Sequence, residues 1–215
     1  MTMRAASRRP RGGGEDDGGA RERLLAAAGA LFAEKGYAAA SVGEIVAAAG
    51  VTRPVLYYWF RSKEGIYLAL LEGAFADFEG LLDAAARAPG GARARLRRLC
   101  ASALELMGRN MAAVRIMHAA YYGPPQGAPR FDFDVFHTRF QAAVLDLIAA
   151  GARAGEFRPR DREGQAWAVV GALNICIELR LCHPELAGDP RALFDRIFDA
   201  MLRGLAAPRR KETSR

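Results

Sequence analysis

The sequence contains few of the residues from which catalytic and metal sites are most often built. Its 215 residues include three cysteines and three histidines. The cysteines Cys100, Cys176 and Cys182 are too few and too widely spaced for a disulfide framework, so we expect free thiols. No two histidines have metal-ligand spacing on one helix, and none lies near a serine or cysteine in a nucleophile motif. We therefore expect no catalytic residue, no metal site and no cofactor.

Long apolar runs and strand patterns are missing as well. No stretch approaches the ~20 consecutive uncharged apolar residues that a membrane-spanning helix needs. No apolar segment follows the N-terminal arginines, as it would in a secretory signal. Alternation of apolar and polar residues never persists long enough to predict a strand. The sequence therefore predicts an all-helical, cytoplasmic protein with no membrane partner.

Positive charge is in excess. The chain has 31 Lys and Arg against 24 Asp and Glu, a net charge of +7. This balance favours a polyanionic partner but does not identify one. Residues 1–19 combine glycine and charge with almost no apolar side chains, which predicts a disordered basic arm. Two interpretations of the arm stay open: a solvated tail, or a segment that follows the DNA backbone or enters a minor groove.

Residues 41–67 have the pattern of two short helices joined by a tight turn and followed by a longer helix. Ser41 and Glu44 have the spacing of a capping box at the start of the first short helix. Gly50 suits the left-handed turn after it, and Pro54 is tolerated in the first turn of the second. The pattern predicts a helix-turn-helix whose second helix suits the major groove of DNA. An ordinary helical corner inside a core is the alternative.

The two sides of the second short helix differ in character. Leu56 and Phe60 are four residues apart and are expected to face inward, and Thr52 is expected to cap the helix. The other side carries hydrogen-bond donors and aromatic rings. The expected DNA-binding residues are Ser41, Thr52, Arg53, Pro54, Tyr57, Tyr58 and Lys63. Among them, Tyr57 and Lys63 are expected to contact phosphates. Base edges are expected to be contacted by Thr52, Arg53, Pro54 and Tyr58.

One segment resembles the signature of TetR-type transcriptional repressors, in which G-V-x-x-x-x-L-Y-x-x-F-x-x-K spans the recognition helix. It is GVTRPVLYYWFRSKE, at residues 50–64. The preceding LFAEKGY, at residues 31–37, is similar to the end of that family's first helix. Trp59 and Pro54 depart from the commonest pattern, so the contacts or the specificity are expected to be retuned.

Helical periodicity continues to the C-terminal region, and nine helices are expected, which is also the architecture that the resemblance implies. The helix-turn-helix domain is expected at residues 20–66, and a larger helical ligand-binding and dimerisation domain at residues 67–207. A disordered tail is expected at residues 208–215. Glu156-Phe157-Arg158-Pro159 resembles a connector often found in the family before the penultimate helix.

The last two predicted helices carry more apolar residues than a single core contact needs. In TetR-type repressors, the equivalent helices of two subunits form a four-helix bundle, so the resemblance implies a homodimer. Packing within one chain is the alternative. The expected interface residues are Val170, Gly171, Leu193, Phe194, Ile197, Phe198 and Met201.

Methionine and aromatic side chains are concentrated in the middle helices. Such a set suits a hydrophobic small molecule, and it is equally what a core of this size contains. If the family resemblance holds, a pocket for an effector is expected among them. Its candidate residues are Met107, Met111, Met117, Tyr121, Phe136, Phe140, Trp167 and Asn174.

The predicted function is a dimeric, sequence-specific transcriptional regulator. It would bind an inverted-repeat operator in double-stranded DNA and be released by a small, mostly apolar effector. Three alternatives stay open: a helical dimer that binds DNA without a ligand pocket, a helical module that has lost DNA binding, and a helical enzyme. Retention of Arg53, Tyr57 and Lys63 argues against the second, and the sequence does not distinguish a repressor from an activator.

Overall fold

The computed structural model describes residues 15–123, 127–158 and 161–203, and every regular element in these ranges is an α-helix. The helices are α1 (Glu15–Ala39), α2 (Val42–Ala49), α3 (Arg53–Phe60), α4 (Lys63–Arg87), α5 (Ala92–Arg109), α6 (Met111–Tyr122), α7 (Asp134–Arg153), α8 (Arg162–Cys182), α9 (Pro184–Ala187) and α10 (Pro190–Arg203). The all-helical prediction is confirmed.

The described part of the chain has one helix more than the nine expected. The addition is α9, a single turn of four residues between α8 and α10. Pro184 stands in its first turn, where proline is tolerated because no N–H partner is needed. At the N-terminus, α1 begins at Glu15 and therefore includes the last five residues of the expected arm. Residues 1–14 of that arm and the expected tail at 208–215 lie outside the described residues.

The chain divides into two compact units. The first comprises Met1–Glu72 and Ile116–Phe131, and the second comprises Gly73–Arg115 and Asp132–Arg215. The division therefore falls inside α4, six residues beyond the expected boundary at residue 66. No proline interrupts α4, so a single helix contributes residues to both units.

The first unit is built from α1, α2, α3 and the start of α4, with the second half of α6. Its almost fully buried side chains include Leu24, Ala28, Phe32, Ile45, Leu56, Phe60, Ile66, Tyr67 and Leu71. Gly36 interrupts the helical backbone of α1 with φ 82°, which glycine adopts at little cost. Tyr37 follows it, and its ring packs 5.6 Å from Phe32 and 5.0 Å from Tyr67. Gly36 therefore turns the chain so that α1 closes on α4.

The second unit packs α5, α7, α8 and α10 around one core. Its most deeply buried side chains include Leu96, Leu99, Cys100, Ala103, Val144, Ala166, Leu173, Cys176, Phe194 and Phe198. All three cysteines are free, and burial raises the pKa of the Cys100 thiol to about 12. Cys100 is therefore a small apolar core residue rather than a reactive thiol.

The outer ends of α5 and α7 are joined by the segment that resembles a family connector. The Glu156 carboxylate accepts hydrogen bonds from the backbone N–H groups of Ala92 and Arg93, at 2.9 and 3.0 Å. These groups open α5, whose N-cap Gly91 has no side chain to cap them. The ring of Phe157 lies over Gly151, where an added Cβ would be only 2.2 Å from it. Glu156, 64 positions from Ala92, therefore supplies the cap that Gly91 lacks.

Length and composition alone would allow α8 to cross a membrane, although only a third of its apolar window is buried. Its inner side, which includes Val169, Val170 and Leu173, packs into the core of the second unit. Its outer side carries the exposed Trp167 and Ile175. The apolar composition of α8 thus has two sources, a core face and a second face that is uncovered in the single chain.

We expect Glu156→Gln and Glu156→Ala to lower the melting temperature, with the larger loss for alanine because it retains no acceptor. The two N–H groups, of Arg93 and then Ala92, hold the pKa of Glu156 below its usual value. The stability that this carboxylate contributes is therefore present above the unfolded pKa, and it is lost as the pH falls through the lowered folded pKa.

Thermal denaturation of wild type and variants between pH 7 and pH 3 measures this effect. Glu72→Gln is the matched control, since Glu72 is an exposed acid within α4. If the difference in melting temperature between wild type and the Glu156 variants were as large at pH 3 as at pH 7, the capping role would be contradicted.

Candidate nucleic-acid interface

The turn between α2 and α3 has the geometry that the sequence predicts. The Ser41 Oγ accepts a hydrogen bond from the Glu44 backbone N–H at 3.2 Å, and the Ser41 N–H donates to Glu44 Oε2 at 2.9 Å. Gly50 closes α2 in the left-handed conformation, with φ 63° and ψ 36°. Hydrogen bonds from Lys35 first, and then from Ser41, lower the pKa of Glu44 to about 2. The capping box therefore stays ionised and intact at neutral pH.

The start of α3 differs from the prediction at one residue. Thr52 is the N-cap and has extended backbone angles, but its side chain makes no capping hydrogen bond. The expectation that its hydroxyl caps the helix is therefore wrong. Its backbone carbonyl instead accepts from the N–H of Val55 at 3.1 Å. The hydroxyl of Thr52 is left on the exposed surface, where it is available to a ligand.

The two sides of α3 separate as the spacing predicts. Leu56 and Phe60 are 0% and 5% exposed, because they pack into the first unit. The expected DNA-binding residues on the opposite side, Thr52, Arg53, Pro54, Tyr57 and Tyr58, are all exposed. Tyr57 and Tyr58 stand out among the large apolar side chains, at 46% and 65% exposure. A polar and aromatic surface is thus presented on a helix of eight residues.

Lys63 has a structural partner that sequence reasoning missed. Its ammonium group donates to the carbonyl oxygens of Tyr37 at 2.9 Å and Ala40 at 3.0 Å. The same group lies 4.3 Å from the centroid of the Tyr37 ring. Tyr37 lies in the last turn of α1, and Ala40 directly follows the last residue of that helix. Lys63 therefore joins the start of α4 to the end of α1, and no local pattern signals a contact between residues 26 positions apart.

A second contact that was missed fixes the turn from α3 to α4. Arg61 ends α3 with φ 65° and ψ −33°, in a region that costs a residue with a Cβ roughly 1 kcal/mol or more. Its N–H donates to the Tyr57 carbonyl at 3.2 Å. Gly65 then passes so close to the Phe60 carbonyl that an added Cβ would lie 1.9 Å from that oxygen. Only glycine fits at this position without movement of the backbone.

Trp59, which departs from the usual family pattern, is half-buried beside the exposed surface. Its ring meets Tyr58 edge to face, with the centroids 5.2 Å apart. The indole Nε1 is buried and has no acceptor among the described residues. The departure therefore places an aromatic support behind Tyr58 rather than a further donor on the surface.

The residues expected to line an effector pocket do not form one lining. Within the second unit, Phe136 packs against the rings of Phe75 and Phe78, and Phe140 is buried in the core. Met107 packs against the same core, and Met111 is half-buried. Met117 and Tyr121 belong to the first unit, where Tyr121 is 48% exposed.

Two further expected pocket residues, Trp167 and Asn174, lie on the outer side of α8. Trp167 is 49% exposed and Asn174 is also exposed. Their assignment to an effector pocket stays a prediction, and the core side of α8 is formed by other residues. A cavity of about 400 Å³ does occur in the second unit, between α4 and α5. None of the expected pocket residues lines it.

The expected dimer residues divide in a similar way. Phe194, Phe198 and Val170 are only 0%, 1% and 3% exposed, so they are core residues of one chain rather than interface residues. Their burial follows from the packing of α10 on α5 and α8, where Arg97 pairs with Asp195 at 3.0 Å and with Asp199. Leu193, Ile197 and Met201 are half-buried against that core. Gly171 faces open space on the outer side of α8.

Known proteins similar to this chain are regulators of transcription. Residues 24–70 match the family model described as "Bacterial regulatory proteins, tetR family". The HTH-type transcriptional activator FasR of Mycolicibacterium smegmatis is 32% identical over 137 residues, which is 63% of this chain and 62% of that protein. The HTH-type transcriptional repressor KstR2 of Rhodococcus jostii is 29% identical over 131 residues, 61% of this chain and 64% of that protein. The chain thus spans somewhat less than two thirds of each relative.

The likeness in structure extends beyond the matched N-terminal residues. The TetR family transcriptional regulator PfmR from Thermus thermophilus aligns with a TM-score of 0.67 and 27% identity. The alignment covers 86% of this chain and 100% of that chain. The order of an N-terminal helix-turn-helix and a larger C-terminal helical region is therefore shared with solved members of the family.

We expect Gly65→Ala to lower the free energy of unfolding by about 1–3 kcal/mol, because the new methyl group must displace the Phe60 carbonyl. The matched control is Gly73→Ala, eight residues further along the same helix, where a Cβ meets nothing within 4 Å. That change should instead stabilise by ~0.5–1 kcal/mol through helix propensity. Urea denaturation of both variants measures the contrast. Two equal effects would contradict the close approach of α4 to the end of α3.

Proposed function

We propose that this chain, whose residues 24–70 belong to the tetR family of bacterial regulatory proteins, is a cytoplasmic, dimeric regulator of transcription. It binds an inverted-repeat operator in double-stranded DNA through α3 and is released by a small effector with a large apolar part. Relatives named as an activator and as a repressor are both similar to it. The direction of regulation therefore depends on where the operator lies relative to the promoter.

The exposed side of α3 is the observation that carries the proposal. The major groove of B-DNA is about 12 Å wide and admits one helix. Arg53 stands in the first turn of α3, the part of a recognition helix that reaches base edges. Thr52 and Tyr58 flank it with hydroxyl groups, and Pro54 adds an apolar surface. Base readout is therefore assigned to these four residues.

The phosphate contacts are assigned to Tyr57 and Lys63. Tyr57 is half-exposed and carries a phenolic donor. Lys63 uses two donors on carbonyl oxygens, and an ammonium group has three. Its third N–H and its positive charge are sufficient for one phosphate. Ser41 supports the same surface indirectly, because its hydroxyl group is engaged in the capping box that begins α2.

The outer side of α8 is proposed as the centre of the dimer interface. Trp167 and Ile175 are 49% and 44% exposed, an unusual amount for large apolar side chains that lie two turns apart on one helix. Gly171 lies between them with open space at its Cβ position. An uncovered apolar surface of this kind marks an interface, and a small residue allows a partner helix to approach closely. Leu193, Ile197 and Met201 on α10 remain candidates for its edge.

Release by an effector requires that the effector binds one arrangement of the protein better than another. The continuous helix α4 supports this part of the proposal, because it begins beside α3 and ends in the second unit. A second candidate function is a dimeric DNA-binding protein without an effector. The filled aromatic cluster of Phe75, Phe78 and Phe136 favours it, since those rings occupy space that a ligand would need. Catalysis is not part of either function.

We expect Arg53→Ala to weaken binding to the operator by ~1–3 kcal/mol and to relax specificity at one base pair. The operator is first selected from fragments of the source genome with the purified protein. Its half-sites should have centres about one helical turn, ~34–36 Å, apart. Fluorescence anisotropy with the operator and its single-base variants measures both effects. Arg162→Ala is the control, because it removes the same charge at the start of α8. Equal affinities of wild type and Arg53→Ala would refute the assignment of α3.

We expect the double change Trp167→Asp and Ile175→Asp to give a folded monomer, because closure of the interface would bury unpaired charges. Light scattering measures the mass, and circular dichroism confirms that the helices remain. Leu186→Asp is the control, since Leu186 is 67% exposed on α9. If the double variant stays dimeric, the interface lies elsewhere. If the wild type is a monomer that binds the operator tightly, the dimer itself is excluded.

A further inference from the structure

The cavity of about 400 Å³ in the second unit is a groove between two facing helices. Its size is within the ~300–1,000 Å³ of ligand sites in proteins. Small side chains at its middle leave the space open, and leucines form its floor. Its lining residues are Asp77, Leu81, Ala84, Ala85 and Ala88 of the α4 side and Arg95, Arg98, Leu99, Ser102, Glu105, Leu106 and Arg109 of α5.

The end of the groove near the last turn of α4 is cationic. Arg95 donates through Nη2 to the carbonyl oxygens of Ala85 and Ala86, at 3.2 and 2.8 Å. Its Nε is buried and has no acceptor among the described residues. Arg98 donates to the Pro89 carbonyl beside it. No acidic side chain lines this end, so two positive charges and a buried donor lie next to open space.

The acidic residues of the groove lie at its opposite end, and both already have partners. Asp77 accepts a hydrogen bond from the Asn110 side chain at 3.3 Å. Glu105 pairs with Arg191 at 2.7 Å. Between the two ends, the floor is formed by Leu81, Leu99 and Leu106. The groove thus runs from a cationic end over an apolar middle to an end that carries both acidic and basic side chains, Asp77, Glu105 and Arg109.

We propose that this groove is the effector site, and that the effector is an anionic amphiphile. Its carboxylate or phosphate group binds Arg95 and Arg98, and its apolar chain lies along the leucine floor. The identification as an effector rests on the function proposed above, whereas binding in the groove does not. From Arg98 to Leu106 the helix rises about 12 Å, so an extended alkyl chain fits along it.

The chemistry of the cationic end is specific for such a head group. A guanidinium group is planar and pairs with two oxygens of a carboxylate or phosphate. The Nη2 atom of Arg95 is engaged by the carbonyl oxygens of Ala85 and Ala86 at the end of α4. The buried Nε has no acceptor among the described residues. An oxyanion in the groove would give that donor an acceptor. The alkyl chain would then lie over the small side chains at the middle of the groove and against the half-buried Leu81, above Leu99 and Leu106, which are already buried.

Calorimetric titration of the full chain, without DNA, tests the binding. The probes are dodecyl phosphate and dodecanoate, both below their micellar concentrations, with dodecanol as the neutral amphiphile and inorganic phosphate as the head group alone. We expect both anions to bind at least tenfold more tightly than either dodecanol or phosphate. The ratio between the two anions distinguishes a phosphate from a carboxylate head group. If dodecanol binds as tightly as the anions, or if neither anion binds, the proposal is wrong.

Two variants locate the bound molecule. Arg98→Gln removes one charge from the cationic end, and we expect an affinity loss of at least tenfold for the anions with little change for dodecanol. Ser102→Trp fills the middle of the groove from an exposed position of α5 and should abolish binding. It also covers the case in which Arg98→Gln fails to fold. Arg162→Gln is the control of equal charge and should bind as wild type does. Unchanged affinity in Ser102→Trp would place the site elsewhere and overturn the proposal.

The link to DNA is measured separately, by anisotropy of the selected operator during addition of the anion that binds best. Release by this anion from wild type, but not from Ser102→Trp, supports the assignment as effector. Binding in the groove without any change in operator affinity overturns that assignment. If the protein binds no operator at all, the proposed function fails, and the calorimetric result still decides whether the groove is an anion site.

Discussion

The exposed surface of α3 depends on contacts made behind it, and the ammonium group of Lys63 is central among them. It binds the carbonyl oxygens of Tyr37, in the last turn of α1, and of Ala40, just after that helix, and lies against the Tyr37 ring. Since α2 and α3 both pack on α1 and lie between α1 and α4 in the chain, this one side chain ties together the two helices that precede and follow them. Gly65 also contributes, because the absence of a Cβ at this position lets α4 start directly beneath the end of α3. The exposed side chains of α3 need no contact with one another for their arrangement to be fixed.

Local rules predicted the helix-turn-helix well. The capping box, the left-handed glycine and the inward pair Leu56 and Phe60 all depend on residues within a few positions of each other. The structural role of Lys63 was not predictable in this way, because its acceptors are 23 and 26 residues distant. Thr52 shows a different limit. Its residue type suits an N-cap, but the backbone angle alone does not decide whether the hydroxyl turns to the helix or to solvent.

Periodicity was less informative in the second unit. It identified α8 and α10 as helices with apolar sides, but two apolar sides of one helix look alike in sequence. The structure buries Phe194 and Phe198 inside the chain and leaves Trp167 and Ile175 outside. The groove between α4 and α5 was missed for a related reason. Its signal is a lack of side-chain volume at Ala84, Ala85 and Ser102, and small residues are common on any helix.

Helix α4 connects these features physically. Its 25 residues extend about 37 Å without a proline. Its first turn is held through Lys63 beside α3, while its last carbonyl groups are held by Arg95. In the proposed complex, the anion gives the buried Nε of Arg95 an acceptor while the Nη2 bonds to those carbonyls stay in place, and it shifts operator affinity only if this contact differs between the free and the DNA-bound protein. A tenfold change in operator affinity needs only ~1.4 kcal/mol of such differential binding. One altered charge-assisted hydrogen bond is of that size, at ~1.5–3 kcal/mol.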